Sequence, residues 1–146
     1  METKERNFKF IIGGIALILC IFFFTLPLVQ CSEDSSLNAT GWEIATGTGD
    51  LYDEAEEDGD FIVFILLIIP IVLLVLALIK RSFTVLLIVS LSGLIAKIIF
   101  IIGAFARLTD FEGAFELTAF NWIVLVFYLC LCVFTFYCKR LEAKAD

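Results

Sequence analysis

The stretch FTVLLIVSLSGLIAKIIFIIGAF, residues 83–105, holds 23 residues and a single charge, Lys97. A helix of that length rises about 35 Å, enough to cross the roughly 30 Å of hydrocarbon in a bilayer. Three further stretches have the same character: residues 10–29, 61–79 and 119–138. With 61% hydrophobic residues in a chain of 146, the apolar surface exceeds what a soluble domain can bury. The expected fold is an all-α membrane protein, a single domain over residues 1–146 built as a four-helix transmembrane bundle. Little chain remains outside the spans, so no separate soluble domain is expected.

The basic residues predict the orientation. Lys4, Arg6 and Lys9 precede the first span. Lys80 and Arg81 lie between the second and third, and Lys139, Arg140 and Lys144 follow the fourth. Four crossings bring all of them to one side, and the positive-inside rule makes that side cytoplasmic. Both termini are therefore expected inside, in the plasma (inner) membrane of the cell. The first span has the basic start and apolar run of a signal peptide. Its 20 residues are long for one, and Gln30 is a poor residue before a cleavage site, so it is expected to be retained.

The outer loops, residues 30–60 and 106–118, are acidic. The first carries ten carboxylates and no basic residue; the second adds Asp110, Glu112 and Glu116 against Arg107. Such a surface attracts cations and basic partners. Asp58 and Asp60 also have a local role at the start of a helix, whose N-terminus favours carboxylates. DLYDEAEEDGD, residues 50–60, departs from the alternating carboxylates and fixed glycine of an EF-hand, so no metal site is expected. In TGWEIATG, residues 40–47, Thr40 and Glu43 have capping-box spacing and Gly47 is placed to end the short helix. Trp42 gives that helix an apolar side that folds back onto the headgroups or the bundle. Trp42, Glu43, Asp53, Glu54, Glu56 and Glu57 are the candidate outer contact residues. The five cysteines form no disulfide framework, because only Cys31 faces outward.

LPLVQC and the following GWEIATGT resemble a segment of small, uncharacterised bacterial membrane proteins, roughly LP-x-V-x-C and then G-x-[DE]-[LI]-A-T-G. The resemblance covers residues 26–48 and implies a bacterial inner-membrane origin and an ordered loop, with no activity attached. In layout the chain is similar to claudins: four spans, both ends inside, a large first outer loop. The paired outer cysteines and W-GLW pattern of claudins are absent here.

Lys97 is the residue that needs an explanation, since an intramembrane charge raises a functional hypothesis by default. Ser90, Gly93, Lys97 and Ala104 share one stripe, and small residues mark close helix packing, so Lys97 is expected to face protein. Its side chain leans toward the helix N-terminus, away from the nearer outer interface. Asn121, Tyr128 and Thr135 recur at sevens down the last span. Pro70 removes the amide that would bond the carbonyl of Leu66. Tyr128 and Pro70 lie at about the depth of Lys97, so Lys97 is expected to donate to Tyr128 and to the freed carbonyl. An anionic lipid headgroup or an outer carboxylate is the alternative partner. Two roles follow: a polar clamp that sets bundle geometry, or a pathway or anion site.

Histidine is absent, and no nucleophile sits beside a base in a water-accessible segment, so neither catalysis nor a cofactor is expected. Nor is a nucleic-acid partner. The expected partners are membrane lipid and either further copies or another membrane protein. The favoured reading is an interaction or assembly subunit that meets a partner through its acidic outer loop, with small-residue stripes (Gly13 and Gly14 on the first span) packing against the complex. The alternative is a homo-oligomeric channel with a cation-attracting acidic vestibule.

Overall fold

Pro27 ends the first apolar segment as a helix and starts a strand. In the computed structural model, helix α1 runs Glu2–Thr25 and strand β1 runs Pro27–Cys31. Residues 2–34, 36–50, 60–79, 82–110 and 115–144 are described. Strand β2 (Asn38–Thr40) leads into the short helix α2 (Gly41–Thr46). A 3-10 turn, Phe61–Phe64, precedes α3 (Ile65–Leu78); α4 spans Phe83–Asp110, β3 Phe115–Leu117 and α5 Phe120–Glu142.

The chain is mostly helical, and three helices are long and apolar enough to cross a membrane: Lys4–Thr25, Phe83–Ala104 and Phe120–Glu142. They mark it as a membrane protein. A shorter apolar helix, Ile62–Leu78, packs with them. The helices neighbour one another in a ring, α1 on α3, α3 on α4, α4 on α5 and α5 on α1. Ile12, Leu73, Leu86 and Leu131 fill the interior, while Phe10, Ile99, Ile102 and Val133 point outward and are more than half exposed. Apolar residues on both the inner and outer faces are what a helix needs when its solvent is lipid.

Three expectations are corrected. The first span does not continue as helix to residue 29, because proline lacks the amide a helix would use. Helix α4 runs beyond residue 105, which shortens the second outer loop. The fold is also not all-α: the outer segments form an antiparallel sheet in the order β2-β1-β3. Val29 lies opposite Ala39 on one side and Leu117 on the other, so both outer loops are joined through β1. Their backbone groups would otherwise be left without partners next to the membrane.

The capped turn forms as its sequence predicts. Thr40 accepts from the Glu43 amide at 3.3 Å, and the Glu43 carboxylate accepts from the Thr40 amide at 2.7 Å. Gly47 closes the helix at φ 66°, a left-handed conformation that favours glycine. The Asp60 amide then bonds the Ile44 carbonyl at 2.8 Å, which returns the chain to α2. Asp60 also caps the 3-10 turn through the Ile62 amide at 3.1 Å.

Candidate functional site

The polar residues expected inside the bundle are buried there. Lys97, Asn121, Ser90 and Thr135 are 0% exposed and Tyr128 is 1% exposed. The three residues spaced by seven on α5 do face inward. On α4, the stripe of Ser90, Gly93 and Lys97 faces α5 and the core.

Their pairing differs from the expected one. Lys97 Nζ donates to Asn121 Oδ1 at 2.6 Å and lies 4.6 Å from the Phe100 ring centroid. The Tyr128 hydroxyl donates to the carbonyl of Leu66 at 3.3 Å. The carbonyl freed by Pro70 is therefore satisfied, but by the tyrosine. The ammonium bonds the Asn121 amide oxygen instead. It lies two helical turns further out, about 10 Å along α5. The long lysine chain thus reaches outward, against the N-terminal lean of its Cβ.

Asn121 carries the network out of the bundle. Its Nδ2 donates to the Leu28 carbonyl in β1. The same carbonyl accepts from the Thr118 amide at 3.2 Å, and the Thr118 hydroxyl donates to the Pro27 carbonyl. The pairing register of β1 with β2 shifts between Pro27 and Val29. The amide orientation is chemically required: flipping Asn121 would set its NH2 group against the ammonium and its oxygen against a carbonyl. A continuous chain of hydrogen bonds thus runs from α4, through α5, into the outer sheet.

Gly93 makes this arrangement sterically possible. A Cβ there would stand 2.4 Å from a ring carbon of Tyr128. The tyrosine ring occupies the space a side chain would take, which places its hydroxyl on α3. Ser90 lies deeper, bonding the Leu86 carbonyl at 2.7 Å and approaching the Thr135 hydroxyl at 3.5 Å. It is part of the same polar face but separate from the Lys97 cluster.

The outer contact residues divide. Trp42 is 42% exposed and rests between Phe24 and Phe64, with ring centroids 5.5 and 5.7 Å away. The turn therefore folds back onto the bundle. Glu43 closes the capping box with Thr40. Asp53, Glu54, Glu56 and Glu57 lie outside the described residues. The carboxylate of Asp34 accepts from the hydroxyl of Ser36 at 2.6 Å and its amide at 2.9 Å. These bonds favour the ionised form and hold the acid below the usual carboxylate range. Gln30 and Glu116, opposite each other across β1 and β3, are hydrogen-bonded.

Residue-level reading missed four participants. The Leu28 carbonyl, Thr118 and Phe100 gave no signal, because backbone acceptors and ring faces depend on how elements meet. Lys9 reads in the sequence only as a topological marker. It is buried, ion-paired with Glu5 and 5.1 Å from the Phe83 ring centroid. The alternation in Phe115, Glu116, Leu117 and Thr118 is the one local hint of β3. No protein-family model, curated protein or solved structure matches this chain.

Proposed function

We propose that this chain is a non-catalytic interaction or assembly subunit that presents a rigid, acidic platform on the outer side of the membrane. The observation that carries the reading is the pinning of the outer sheet to the bundle through Lys97, Asn121 and the Leu28 carbonyl. A loop with no binding task needs no such anchorage; a docking surface benefits, because pre-ordering lowers the entropy lost on association. The segment with the bacterial resemblance, residues 26–48, includes β1, β2 and α2. That supports its treatment as one structural unit; a bacterial inner membrane is what the resemblance implies.

In this reading all four apolar segments span, with both termini cytoplasmic. The Ile62–Leu78 helix is about 25 Å long, short of the usual hydrocarbon thickness but within what local thinning accommodates. The basic residues at the start of α1 and end of α5 support the orientation. The interior side chains between the helices speak against a pore through one copy. A channel would have to form between copies.

The test is native mass spectrometry of the chain extracted gently from its own membranes. The expected result is a stoichiometric complex with a second protein. Neutralising Asp53, Glu54, Glu56 and Glu57 together is expected to dissociate it while the fold persists. A pure ring of identical copies would replace this reading with the channel, and its cation conductance should then fall in the same variant. A bare monomer would refute both.

A further inference from the structure

Beneath β1, between the outer ends of the helices, lies a small cavity. Lys97, Tyr128, Val124, Leu28, Phe22 and Phe23 are among the residues around it. Its volume is about 20 Å³. One water needs roughly 10–15 Å³ on that measure. The space therefore suits one compact particle.

The surroundings are chemically one-sided. An ammonium has three N–H donors. Among the described residues, Lys97 has a single hydrogen-bond acceptor, Asn121 Oδ1, with the Phe100 ring as its second neighbour. None of the four apolar segments contains a carboxylate. The two carbonyls closest to the network are occupied: Leu28 accepts from Asn121 and Thr118, and Leu66 from Tyr128. A water in the cavity would need acceptors for its own hydrogens, which only the Tyr128 hydroxyl oxygen and the second lone pair of the Leu66 carbonyl offer, and it would leave the charge uncompensated. An anion needs none, and it would neutralise a charge that is otherwise buried without a counter-ion.

We propose that this cavity is a binding site for one small monovalent anion of halide size, held by Lys97. The apolar walls favour weakly hydrated anions over strongly hydrated ones, so bromide binds at least as tightly as chloride, and sulfate is excluded by size and charge. The anion completes the polar core and stabilises the anchorage of the outer sheet. This assignment does not depend on the platform function.

The test uses the full chain in detergent, unfolded thermally in potassium chloride, bromide or gluconate at equal ionic strength. Chloride and bromide are expected to raise the midpoint saturably relative to gluconate, by several degrees when the halide far exceeds its dissociation constant. Lys97→Met is expected to abolish the difference. If that variant does not fold, Val124→Leu keeps the lysine and fills the cavity, and should weaken bromide binding at least tenfold. Bromide soaked into crystals is expected to give an anomalous peak beside Lys97 Nζ. Identical midpoints in all three salts would overturn the site and leave a neutral amine or a water in its place. So would a halide response that survives in Lys97→Met or at full strength in Val124→Leu.

Discussion

The carbonyl of Leu66 ties two distant positions together in a way that can be measured. Pro70 cannot supply the amide that would normally bond it, and Tyr128 supplies a hydroxyl instead, at 3.3 Å. Tyr128→Phe removes that donor and leaves a buried carbonyl unpaired. Interhelical hydrogen bonds in membrane proteins average about 0.6 kcal/mol and reach about 1.7. An orphaned buried acceptor costs about 1–3 kcal/mol. The expected loss is therefore about 1–2 kcal/mol. Pro70→Ala restores an amide four residues from Leu66, so the helix can satisfy the carbonyl itself. In that background Tyr128→Phe should cost less than about 0.5 kcal/mol, giving a coupling of about 1 kcal/mol between residues on different helices. The assay is reversible unfolding in mixed micelles followed by the fluorescence of Trp42 and Trp122. If the two changes are additive, the tyrosine does not serve that carbonyl and the reasoning fails.

Three further outcomes are expected. Asn121→Leu strands the Lys97 charge and should destabilise by about 3–5 kcal/mol, whereas the double variant with Lys97→Met should recover most of that loss, measured by the same unfolding cycle. Gly93→Ala sets a methyl against the Tyr128 ring and should cost about 1–3 kcal/mol, while Gly14→Ala, which meets nothing within 4 Å, should be near neutral. Thr40→Ala breaks the capping box and should cost about 1 kcal/mol, read as faster amide exchange over α2 with unchanged exchange in α4 and α5.

Apolar runs longer than a bilayer is thick, and the sidedness of lysine and arginine, are local properties of the chain. They identify a membrane protein, and the spacing of small and polar residues identifies the inward face of Ser90, Gly93 and Lys97 and the stripe of Asn121, Tyr128 and Thr135. The Thr40–Glu43 cap and the freed Leu66 carbonyl were equally legible, since each involves residues within one helical turn. The tertiary structure decided which donor meets which acceptor. Depth counting paired Lys97 with Tyr128, because at equal rise per residue the two lie level. It could not show that Gly93 opens space for the tyrosine to reach α3, or that β1 brings the Leu28 carbonyl within reach of Asn121. The sheet was hidden for the same reason. Its strands are three to five residues long, so alternation hints only at β3, and they exist only because the helix bundle brings the two outer loops side by side.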